Sequence, residues 1–80
     1  MGYHKNEIKK GILGEFSKIK EEFLEAEDAY IQGNNIMLLL ELSDMLGAIE
    51  DFLEKHNMDL QDLIKMKNAT QSAFKDGTRK

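Results

Sequence analysis

The chain has 80 residues, a formal net charge of −4, and neither cysteine nor proline. That length is one small domain, which buries only roughly 60% of the surface its unfolded chain exposes, so its own core is thin and self-association is expected. The lack of cysteine excludes a disulfide framework and a thiolate zinc site, and the acidic balance argues against non-specific binding to nucleic acid or anionic membranes.

The pattern is helical almost throughout. There is no valine, and no stretch alternates at period two, so strands are not expected. Residues 1–14 read as a weak N-terminal helical segment, loosened by Gly11 and Gly14. The first main helix is expected over about 15–32, with Phe16, Ile19, Phe23, Ala26 and Tyr30 as its apolar face. Gly33-Asn34-Asn35 supplies a stop followed by an N-cap, and the second helix is expected over about 36–55. His56-Asn57 breaks the pattern, Asp59 caps a third helix over about 60–74, and Asp76-Gly77 ends it before a mobile Thr78-Arg79-Lys80 tail. The third helix carries Leu60, Leu63, Ile64, Lys67 and Phe74 on one face. Residues 1–80 therefore read as one all-α domain of three main helices that completes a helical bundle by homo-oligomerisation. No apolar run reaches the roughly 20 residues that span a bilayer. The N-terminus has Glu7 and no long apolar core, so it does not read as a signal peptide, and a soluble, cytoplasmic protein is expected.

Glu41 and Asp44 lie inside the most apolar stretch, Ile36 to Leu46. Burying an ion costs several kcal/mol unless something compensates it. A second acidic cluster stands upstream at Glu21, Glu22 and Glu25. Residues three or four apart share a helix face, so Glu22 neighbours Glu25 and Glu41 neighbours Asp44. Glu22 borders Ala26 and Ala29, whose small side chains would leave room for an ion, while Glu41 sits between Met37, Met45 and Ala48. Two antiparallel helices on a short loop could bring these four carboxylates together. Such a group repels itself unless a cation neutralises it, and oxygen-only ligands suit Mg²⁺ or Mn²⁺, which suggests phosphate chemistry.

Each motif also has a bland reading. An EExxE pattern is common on solvated helices, and Glu41 could be a polar contact between helices, with Lys67 or Lys20 as partner. Lys67, near the centre of an apolar stripe, either snorkels outward or reaches into the acidic cleft. His4 and His56 read as surface residues, the methionines as core filler, and Phe16, Phe23, Phe52 and Phe74 as core.

Glu21-Glu22-Phe23-Leu24-Glu25, then fifteen residues, then Glu41-Leu42-Ser43-Asp44 resembles the EExxE…ExxD signature of MazG-like nucleotide pyrophosphohydrolases. Gly14-Glu15-Phe16-Ser17-Lys18-Ile19 before the glutamates, and Ala73-Phe74-Lys75-Asp76-Gly77-Thr78-Arg79 near the end, look like short single-domain members from phages and bacteria. The resemblance implies an all-α homodimer or homotetramer that hydrolyses a nucleoside triphosphate, with Mg²⁺ or Mn²⁺, to the monophosphate and pyrophosphate. It implies Glu22, Glu25, Glu41 and Asp44 as metal ligands. Glu21 would support them or help activate the attacking water, and Lys65 or Lys67 with Asn68 would contact phosphates. The competing expectations are a non-enzymatic helical module that dimerises through the Leu38–Phe52 face and binds a partner helix, and a degenerate member that binds nucleotide without hydrolysing it.

Overall fold

A computed structural model describes residues 7–77. Among them there are three helices and no strand: α1 (Phe16–Ile31), α2 (Asn35–Lys55) and α3 (Leu60–Lys75). Residues 1–6, with His4 and the first part of the expected N-terminal segment, and the Thr78-Arg79-Lys80 tail lie outside the described residues. Residues 7–14 are not helical, contrary to expectation. Gly14 adopts φ +83°, a left-handed conformation that ends any helical run before α1 starts.

The connections follow from local chemistry. Gly33, at φ +73°, turns the chain after α1, and the Asn34 side chain accepts from the Met37 N–H at 3.0 Å to cap α2. Asn57 takes φ +59° after α2, and Asp59 accepts from the Gln61 N–H at 2.9 Å to cap α3. The short Gly33 turn makes α1 and α2 an antiparallel pair. Glu15 pairs with Lys55 at the open end, where the Phe16 ring also meets Phe52 edge-on at 5.7 Å. Phe52 in turn lies against the His56 ring, whose Nδ1 bonds the Phe52 carbonyl at 2.8 Å.

The side of α1 that meets α2 is not the one its aromatic residues predict. Phe16, Phe23 and Tyr30 are exposed, Tyr30 by 71%. Buried instead are Glu22, Ala26 and Ala29 on α1, and Met37, Glu41, Ala48 and Leu53 on α2. Alanines at the seam let two backbones approach closely, and the bulky face is left outside. Phe23, Ala26, Glu27, Tyr30, Leu38, Leu42 and Met45 line a shallow groove of about 300 Å³ on that outer side.

The third helix is the other departure. α3 touches α2 and not α1. Leu53 and Met58 meet Leu63 and Met66 around the α2–α3 connection, yet α3 buries no residue. Phe74 is half exposed, so neither it nor the stripe around Lys67 is core within one chain. Beyond that connection α3 adds nothing to the core, and Leu63, Ile64, Met66 and Phe74 all stay partly exposed. No described helix is long and apolar enough to cross a membrane.

Ala29 is fully buried, so the seam has no room there. Ala29→Leu should overpack it and cost about 1–3 kcal/mol, read as a lower thermal midpoint by circular dichroism. Glu27→Ala, on the exposed side of the same helix, should leave the midpoint nearly unchanged.

Candidate functional site

The two acidic clusters meet at the α1–α2 seam. Carboxylate oxygens of Glu22, Glu41 and Asp44 lie within 4.8 Å of one another, as do those of Glu21, Glu22 and Glu25. Glu22 belongs to both groups and joins them. Glu41 is 1% exposed, the most deeply buried large side chain of the described residues, whereas Asp44 stays exposed at the rim. The helix period explains this: Glu41 stands one turn after Met37 and two turns before Ala48, on the inner line of α2, and Asp44 is rotated towards its edge.

Lys18, one turn before Glu22, enters the cluster. Its Nζ lies 2.9 Å from Glu22 Oε2 and 3.1 Å from Glu21 Oε1. The Glu22 carboxylate, helped by Glu21, raises the Lys18 ammonium well above the usual lysine range, against the opposing effect of burial. Lys18 thus partners Glu21 and Glu22, while neither Lys20 nor Lys67, the lysines expected as partners of Glu41, is paired with these acids. Lys20 is exposed, and Lys67 bonds Asn68 on its own helix at 2.6 Å. The missed signal was spacing alone, since residues three and four apart on a helix face each other.

Glu21 is committed on both oxygens. The Gly11 N–H donates to Oε1 at 2.8 Å, Lys18 shares that oxygen, and Lys10 stands 3.5 Å from Oε2. Burial alone would push the Glu21 carboxyl up, but the Gly11 N–H, Lys18 and Lys10 outweigh it and hold it below the usual range. Gly11 is required here: a Cβ would stand 2.3 Å from the Ser17 carbonyl oxygen, so no other residue lets this segment lie on the first turn of α1. The Ile12 N–H also donates to Ser17 Oγ at 3.0 Å. Residues 11–12 thus form a strap across the start of α1, tied to Glu21.

Glu25 feels the crowding most. Burial pushes its carboxyl up to about 7, followed by a hydrogen bond to Glu22 that exists only when Glu25 carries a proton, and by the charges of Glu22, Glu41 and Glu21. With Glu25 ionised, Glu22 Oε1 is buried and accepts from no donor among the described residues. A buried acceptor left so costs about 1–3 kcal/mol or more. An orphaned oxygen with other carboxylates within ligand distance fits a hard divalent cation. Of the other expected site residues, Lys65, Lys67 and Asn68 lie on α3, exposed, and pair with none of these acids. No protein-family model, curated protein or solved structure matches the chain.

The raised Glu25 carboxyl sets two signs. In the metal-free chain its contribution to stability is fully present below its ordinary value of 4.5 and is lost as pH rises to about 7. Glu21 works in the opposite sense: its contribution is present above the ordinary value and is lost as pH falls through its lowered one. A cation entering the cluster must displace the Glu25 proton. Mg²⁺ or Mn²⁺ added to weakly buffered protein at pH 6 should therefore release up to roughly one proton per chain, and much less at pH 8. Equal release at both pH values would show that Glu25 takes no part in binding.

Proposed function

We propose that this protein is a divalent-metal-dependent nucleoside triphosphate pyrophosphohydrolase, converting a (d)NTP and water to the (d)NMP and pyrophosphate. The observation that carries this reading is the pair of carboxylate groups sharing Glu22, with the buried, unbonded Glu22 Oε1 between the two helices. Glu22, Glu25, Glu41 and Asp44 would hold Mg²⁺ or Mn²⁺. When bound, the ion supplies an acidified water and neutralises charge on transferring phosphoryl oxygens. Glu21 supports the site by fixing the strap and the start of α1. The packing of Ala26, Ala29 and Ala48 keeps the inner end of the cluster dry, while Asp44 marks the side open to substrate. Lys65, Lys67 and Asn68 would take phosphate oxygens.

A second copy of the chain completes this picture. The hairpin exposes Phe16, Phe23, Tyr30, Leu39, Leu42 and Leu46, and Phe23, Tyr30 and Leu42 share one groove, the kind of exposed apolar surface that marks an interaction site. Pairing two such faces, as a homodimer or as half of a homotetramer, would bury them and give α3 a surface to pack on. It would also leave both acidic clusters on the opposite side of each hairpin. The same exposed face is what favours the second reading, a non-enzymatic dimerisation module that binds a partner helix.

Two measurements separate these readings. Pyrophosphate release from a panel of (d)NTPs with Mg²⁺ or Mn²⁺ should be seen for the wild type and fall to background for Glu41→Gln, with the helical circular dichroism retained. Activity equal to the wild type in Glu41→Gln, or no release from any nucleotide, would reject the hydrolase. A cation at a hundredfold excess over its dissociation constant should also stabilise the fold by about 2.7 kcal/mol, a shift the interaction module does not predict. For assembly, Leu42→Glu places a charge in the apolar groove and should convert the oligomer to monomer by light scattering.

A further inference from the structure

We propose that Lys18 is a positioning residue of the acidic cluster: it clamps Glu22 by one oxygen so that the other is presented to a divalent cation. This rests on the metal-site reading above, and it concerns a residue that the family motif does not include.

The geometry is selective. Lys18 Nζ takes Glu22 Oε2 at 2.9 Å and Glu21 Oε1 at 3.1 Å, yet with Glu25 ionised Glu22 Oε1 is buried with no donor among the described residues. An ammonium has three N–H donors, so a lysine serving only to neutralise its neighbours could satisfy both Glu22 oxygens. It is instead drawn sideways to Glu21. Glu21 cannot follow Glu22, because the Gly11 N–H holds the same Glu21 oxygen at 2.8 Å, and Gly11 lies against the backbone of Ser17. Lys18 is thus a strut between a fixed point, the strap-bound Glu21, and the carboxylate shared by both acidic groups. Its side chain is 26% exposed, so the strut is partly shielded from water.

The two roles open to this lysine have opposite signs. A cation beside a ligand carboxylate repels an incoming metal ion, so a plain counter-ion lowers metal affinity and its removal raises it. A group that orients a ligand raises affinity, and its loss typically costs 10–100-fold. The orphaned oxygen favours orientation.

The test is Mn²⁺ affinity of the full chain, measured by electron paramagnetic resonance of free Mn²⁺ for the wild type, Lys18→Met, Lys18→Arg and Lys20→Met, each checked for helical circular dichroism. Lys18→Met should bind Mn²⁺ 10–100-fold more weakly. Lys18→Arg, whose forked guanidinium can reach both carboxylates, should regain most of that loss. Lys20→Met removes the same charge from an exposed neighbour and should bind within about threefold of the wild type or slightly tighter. Unchanged or tighter binding by Lys18→Met, equal weakening by Lys20→Met, failure of Lys18→Arg to recover, or loss of the helical spectrum in both Lys18 variants would overturn the positioning role. Absence of Mn²⁺ binding by the wild type would instead overturn the metal site itself, and this inference with it.

Discussion

Like charges packed at a helix–helix seam govern this molecule. Glu22 and Glu41 are each at least nine-tenths buried where α1 meets α2, in a chain whose apolar core is little more than Ala26, Ala29, Met37, Ala48 and Leu53. A domain has only about 5–15 kcal/mol of net stability, and one uncompensated buried charge can cost several kcal/mol. The seam therefore stands only if positive charge enters it. Lys18 supplies one share, and a proton on Glu25 supplies another below about pH 7. Neither reaches Glu22 Oε1 while Glu25 is ionised. That residual deficit is what makes the cluster read as a binding site and not merely as a polar patch.

The same constraint divides the hairpin into two sides. Alanines at positions 26, 29 and 48 bring the helices close enough for acids on both to converge, and they are too small to make a substantial core. The large apolar residues are displaced to the outer face, where Phe23, Tyr30, Leu38 and Leu42 border one groove. Burying them inside one chain would require α1 to rotate, carrying Glu22 away from Glu41. A closed apolar core and a converged acidic cluster are therefore alternatives for an isolated hairpin. Association of outer faces would allow both at once, so the proposed chemistry and the proposed assembly support each other.

Much of this was legible in the chain. The three helices, their Gly33 and His56-Asn57 breaks, the Asn34 and Asp59 caps and the burial of Glu41 all follow from spacing and turn chemistry, because those signals are local. Which face of α1 turns inward was not legible. Phe16, Phe23 and Tyr30 form the more hydrophobic stripe, and a helical pattern reports that a stripe must be covered without saying by what. Gly11 was misread for a related reason. Glycine weakens a helix in general, but here its missing side chain permits a close backbone approach that only the fold reveals. The Lys18 contacts with Glu21 and Glu22 lie at helical spacing and are in that sense local, but spacing alone does not say which of several lysines takes the acids.

Charge balance carries the proposed function one step further. Once Glu25 is ionised, Glu21, Glu22, Glu25, Glu41 and Asp44 bring five negative charges, and Lys18 is the ammonium bonded among them. Lys10 stands at the exposed margin and is largely screened. A cluster with this excess of carboxylates over bonded ammonium groups among the described residues would repel a polyphosphate. A bound divalent cation would lessen that repulsion before any phosphate arrives. Substrate approach would then depend on cation loading more steeply than on any contact from α3, whose Lys65 and Lys67 stand in solvent in the single chain. Under the proposed function, a cluster this acidic would suit a triphosphate once neutralising charge is supplied from outside the chain, and the protein's own part would be to hold the carboxylates close.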